Sequence, residues 1–136
     1  MSISNKPITD STETDLLDLI ANQVTESKII DYKLTIPGNS ENDKKEFLAD
    51  ISSFANTVGG YLIYGMAEKQ GVAAALPGVS SIDPDSEVLP LDQIIREGID
   101  PRLPGISIHP IKLQNNSFAV IIHIPQSYAS PHMVTF

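Results

Sequence analysis

Between residues 29 and 66 the apolar residues change their spacing twice, and this constrains the fold more than any other feature of the chain. Ile29-Ile30-Asp31-Tyr32-Lys33-Leu34 is rich in strand formers and stops at Pro37-Gly38-Asn39-Ser40, which is loop chemistry. Asp43, with Glu46 three residues on, resembles a capping box. Behind it Phe47, Leu48, Ile51, Phe54 and Ala55 fall on the stripe of a helix docked against a core. Gly59-Gly60 supplies a stop, and Tyr61-Leu62-Ile63-Tyr64-Gly65-Met66 reads as a mostly buried strand. Strand, helix, strand predicts a βαβ unit, whose crossover is nearly always right-handed.

The flanks add shorter elements. Residues 1–12 read as a flexible lead-in, and Leu16, Leu17, Leu19 and Ile20 predict a helix over about 13–23, with Glu13 and Asp15 in the first turn. Residues 69–89 read as a loop with turns at Pro77-Gly78 and Asp83-Pro84, and Pro90 is expected to open a second short helix. Ile106 and Ile108 share one strand phase while Ile111 and Leu113 share the other, so a bulge or an edge position is expected at Pro110. Asn115-Asn116 predicts a hairpin turn into Phe118–Ile124, whose unbroken apolar run is that of a central strand. The expectation is an α+β domain over residues 13–136. It has a central mixed sheet, a βαβ core, two to three helices and a C-terminal β-hairpin.

The 136 residues are enough for one domain with a real core, and 41% hydrophobic with 19% charged fits a globular chain. There is no Cys, which removes disulfides, thiolate zinc sites and a cysteine nucleophile. No apolar run approaches the roughly 18 residues of a spanning helix, and the polar, acidic opening is unlike a leader, so a cytoplasmic protein without a membrane partner is expected. The net charge of −8 is unevenly spread. Residues 81–101 hold Arg96 against Asp83, Asp85, Glu87, Asp92, Glu97 and Asp100, whereas residues 102–136 hold Arg102 and Lys112 and no acid. Cations available to a phosphate are Lys28, Lys33, Lys44, Lys45, Lys69, Arg102 and Lys112, so nucleic-acid contact is expected to be weak and salt-dependent.

One constellation stands out. Asp31 and Lys33 sit at i and i+2 of a strand and share a face, Glu26 lies five residues earlier, and Glu68 follows the second strand. If the two strands are parallel neighbours, their ends emerge at one sheet edge. Three carboxylates and a Lys are an inventory for holding Mg²⁺ or Mn²⁺ against a phosphodiester, and equally for a solvated rim with an ion pair. Asn56, Gly59 and Gly60 could present backbone N–H groups to a phosphate, although a helix stop before a strand explains both glycines. His109, His123 and His132 lack ligand spacing, Ser52-Ser53 has no triad partners, and no G-x-x-x-x-G-K-(S/T) loop is present, which leaves ATP without support.

ESKIIDYK (26–33), SFANTVGG (53–60), YLIYGMAE (61–68) and IPQSYASPH (124–132) together resemble the Alba-like Schlafen-type domain over about residues 15–134. The resemblance implies one of two uses. The first is a nucleic-acid-binding module at the N-terminus of a longer bacterial DNA-binding protein or transcriptional regulator, which would make this chain a fragment. The second is a metal-dependent endoribonuclease acting on structured RNA such as tRNA. Glu26, Asp31 and Glu68 would then be the metal-holding catalytic acids, with Lys33 as electrostatic partner. Asp31 stands where the family has Glu, which shortens that arm by one methylene, and a single lobe would have to pair with its own copy to clamp RNA. A third reading, outside the resemblance, is a protein-interaction module that dimerises through strand 118–124 if that strand lies at an edge.

Overall fold

The computed structural model describes residues 7–80, 83–128 and 131–135. Its centre is a four-stranded mixed sheet built from β1 (Ile30–Lys33), β2 (Gly59–Tyr64), β6 (Ser107–Lys112) and β7 (Phe118–Pro125), in the order β1-β2-β7-β6. β1 and β2 are parallel, with Asp31 opposite Leu62 and Lys33 opposite Tyr64, while β7 runs antiparallel to both neighbours. The crossover between the parallel pair is α2 (Glu41–Ala55), so the βαβ core and the C-terminal hairpin are both present.

Alternation along the strands feeds two cores, one on each face. Leu62, Tyr64, Phe118, Val120, Ile122 and Ile124 meet Phe47, Leu48, Ile51 and Phe54 of α2, together with Leu91 and Ile95 of α3 (Pro84–Gly98). Ile30, Tyr32, Ile63, Ala119 and Ile121 meet Leu16 and Leu19 of α1 (Glu13–Ala21) on the other face. A small hairpin, β3 (Ala67–Lys69) and β4 (Val72–Ala75), leaves the end of β2 and packs beside α1. The short pair β5 (Ile99–Asp100) and β8 (Met133–Val134) ties the C-terminal segment to the end of α3.

Several expectations are corrected. α2 begins at Glu41 rather than after Asp43, because the Ser40 hydroxyl caps it by accepting from the Asp43 N–H at 3.1 Å. That start puts Glu41 and Asp43 in the first turn, where the dipole favours them, and moves Lys44-Lys45 past it. The helix ends at Ala55, and Gly59, with φ of +79°, opens β2 instead of closing the helix. α1 stops at Ala21, since Gln23 has φ of +50°.

α3 starts at Pro84, six residues before Pro90, because Asp83 caps it through the Asp85 N–H and Pro84 needs no hydrogen-bond donor there. Pro90 lies on the exposed side inside that helix. Part of the expected 69–89 loop is the β3–β4 hairpin, and Ser81 and Ile82 of that stretch lie outside the described residues. No bulge occurs at Pro110, because β6 pairs with β7 in unbroken register and Pro110 sits on an edge strand. The phase change there reflects a core on each face: Ile108 packs toward α3, and Ile111 and Leu113 toward α1. Within the expected lead-in, Ile8–Asp10 form a 3-10 turn with Ile8 buried, and residues 1–6 lie outside the described residues. Strand 118–124 is flanked on both sides within the sheet, which closes the edge-pairing route to a dimer.

Candidate functional site

β1 is an edge strand, so its outward backbone groups need partners from elsewhere. The Tyr32 N–H finds one in Glu26 Oε2 at 3.1 Å, and the Tyr32 hydroxyl donates to the Val24 carbonyl at 2.8 Å. Glu26 is held there by the β3–β4 turn, where its own N–H donates to the Gly71 carbonyl at 2.7 Å. This fold-back from a distant hairpin carries the Glu26 carboxyl to that of Asp31.

The Glu26 carboxyl is pushed up to about 7, first by its hydrogen bond with the Asp31 side chain and then by burial. The Tyr32 N–H works against the rise, while the charges of Asp31 and Glu68 add to it. On the same face as Asp31, Lys33 Nζ lies 3.3 Å from Asp31 Oδ2 and 3.6 Å from Asp50 Oδ2 of α2. Burial opposes the Lys33 ammonium, but Asp50 and Asp31 outweigh it and raise its pKa above the ordinary value. Burial also raises Asp50, with Lys33 pulling the other way.

The predicted residues therefore separate. Glu26, Asp31 and Lys33 come together, with Glu68 near enough to act on Glu26 through its charge. Glu68 is bound to its own turn, accepting from the Gly71 N–H at 2.5 Å. A divalent ion needs oxygen ligands converging at about 2.0–2.6 Å. Among the described residues no group of three or more His, Cys, Asp or Glu could hold a metal ion. The acids as they stand do not fit one.

Lys28 lines a cavity of about 210 Å³ beside this cluster, with Ser27, Asp31, Asp50, Ser53, Phe54 and Thr57. The other cations are dispersed: Lys44 and Lys45 on α2, Lys69 on β3, Arg102 between β5 and β6, and Lys112 on β6. Asn56 belongs to the scaffold. Its side chain accepts from the His132 N–H at 2.8 Å and donates to the His132 carbonyl at 2.9 Å. Gly59 and Gly60 are pressed against backbone: a Cβ on Gly59 would lie 2.6 Å from the Ile124 oxygen, and one on Gly60 2.7 Å from the Ile29 oxygen.

Asp50 is the residue that sequence reasoning missed. It sits one position before Ile51 of the buried stripe, so it faces the flank of the sheet. The only local signal for it is that adjacency.

A family model described as Schlafen, AlbA_2 matches residues 26–135. No curated protein matches the chain. Among solved structures, the N-terminal domain of a RecG-related protein from Nitrosomonas europaea is similar in fold, with a TM-score of 0.57 at 18% identity over 89% of this chain and 84% of that one. The DIP2311 protein from Corynebacterium diphtheriae gives a TM-score of 0.47 at 17% identity, covering 90% of this chain and 24% of that one.

Proposed function

The chain belongs to the Schlafen AlbA_2 family, and from that premise we propose that it is a nucleic-acid-interacting module, acting as the N-terminal part of a bacterial regulator. The observation that carries this reading is the polar cavity beside Lys33. Lys28, Ser27, Ser53 and Thr57 line it together with Asp31, Asp50 and Phe54. Lys and hydroxyl groups suit phosphate oxygens, and carboxylates suit the hydroxyls of a sugar. The solved neighbour's description, as a RecG-related protein, agrees with such a role.

With a net charge of −8 and dispersed cations, contact should be weak and fall steeply with salt. Filter binding of tRNA and of duplex DNA at low salt should show retention at micromolar protein, reduced severalfold in Lys28→Ala. No retention of either nucleic acid at tens of micromolar would overturn the proposal.

The second reading, an endoribonuclease acting through Glu26, Asp31 and Glu68 with Lys33, is favoured by one observation: the two carboxyls brought into hydrogen-bond contact. On this reading tRNA incubated with Mn²⁺ is cut, and the cutting disappears in Glu26→Ala. Intact tRNA with the wild-type protein would remove it.

A further inference from the structure

Strand pairing places four residues in one row across the sheet. Ile30 is opposite Tyr61, Tyr61 is opposite His123, and His123 is opposite Ser107. The row lies on the α1 face, where the next row, Tyr32, Ile63 and Ile121, is buried in the second core. Tyr61, His123 and Ser107 are only half-buried. The Tyr61 and His123 rings stack with centroids 4.8 Å apart and 29° between planes. That separation matches the roughly 4.8 Å between neighbouring strands, so the two rings stand side by side along the row.

The next place in the row is Ser107, whose side chain ends at a hydroxyl. The outward face of the His123 imidazole therefore has no ring beside it within the row. Burial holds His123 below its ordinary pKa, which keeps the imidazole neutral at neutral pH and suited to stacking. The hairpin carrying His123 and Ser107 belongs to residues 102–136, which contain Arg102 and Lys112 and no Asp or Glu. In a chain of net charge −8, this is the segment that repels a polyanion least.

We infer that the Tyr61–His123 pair is a stacking platform for one unpaired base of a nucleic-acid strand, the base lying against His123 over Ser107. The inference rests on the proposed nucleic-acid role and assigns it a second contact surface. A flat ring fits a slot one strand wide, and stacking of this kind tolerates any base. A strand is favoured over a free nucleotide because one stacked base needs the added contribution of backbone contacts along the acid-free hairpin.

The test uses the whole chain and a single-stranded oligouridylate carrying one 2-aminopurine, whose emission falls on stacking; the chain has no Trp to interfere. Wild-type protein should quench the probe and bind it more tightly than a duplex of the same length. His123→Ala should weaken binding about tenfold, the worth of one stacked base. His123→Phe should keep the affinity, and Ser107→Leu, which fills the slot, should lose it. Circular dichroism checks that each variant folds, and if His123→Ala does not, the Phe and Leu variants decide. Unchanged affinity in folded His123→Ala and Ser107→Leu, or a bound probe that stays bright, overturns the platform and leaves the nucleic-acid role standing. Equal competition by free adenosine monophosphate also overturns it. No binding of any strand or duplex by the wild-type protein removes both.

Discussion

Glu26 accepts a hydrogen bond from the open edge of β1 while its carboxyl stands against Asp31, and the second contact lifts it from 4.5 to about 7. A carboxyl raised on folding contributes stability that is complete below its unfolded pKa and is lost as pH rises through the folded one. Asp50, raised by burial, acts with the same sign. The melting temperature of the wild type should therefore fall between pH 4.5 and 7. Glu26→Gln can still accept from the Tyr32 N–H, and it can donate to Asp31 at any pH. Its melting profile should be flatter across that window, and at pH 7 it should exceed the wild type by about 1 kcal/mol. That is less than the full shift converts to, because solvent reaches the group. Thermal melts by circular dichroism across the window check it, and parallel profiles would show that Glu26 is not the titrating group. The Asp31–Lys33 neighbourhood was legible from the two-residue period of a strand, and Glu26 could be chosen beside it, but Asp50 could not, since its role depends on which flank of α2 meets β1.

The junction between α2 and β2 shows how a strand start depends on a helix packed over it. A Cβ on Gly60 would lie 2.5 Å from Phe54 Cδ1 and 2.7 Å from the Ile29 oxygen, and backbone cannot give way as a side-chain tip can. Gly60→Ala should destabilise the fold by about 1–3 kcal/mol through overpacking, read as a lower urea midpoint with an unchanged slope. α2 itself was readable, because five apolar residues at helical spacing need no knowledge of the partner. At the start of α3 two prolines compete: spacing favours Pro90 as the opener, whereas the helix begins at Pro84 with Asp83 as its cap. The β3–β4 hairpin was missed because Gln70-Gly71, although both residues have positive φ, is not among the strong hairpin dipeptides.

Both cores draw on the same two central strands, Ile121 facing one and Ile122 the other. The halves should therefore not unfold separately. Ile121→Ala and Ile122→Ala should each cost about 2–5 kcal/mol, and each should shift one shared transition in which near- and far-ultraviolet signals coincide. Two separated transitions in either variant would show that the cores are independent. The kinds of element, the parallel βαβ core and the central position of strand 118–124 follow from periodicities of two and of three to four residues, which are properties of near neighbours and can be read along the chain. The contacts that give the surface its chemistry are of another kind. Lys33 between Asp31 and Asp50, Glu26 folded back onto β1, the Tyr61–His123–Ser107 row and the Asn56 clamp on His132, reaching across 76 residues, exist only after the sheet has taken its order. That order is selected by the burial of both faces at once, a condition on the folded whole that no local spacing carries.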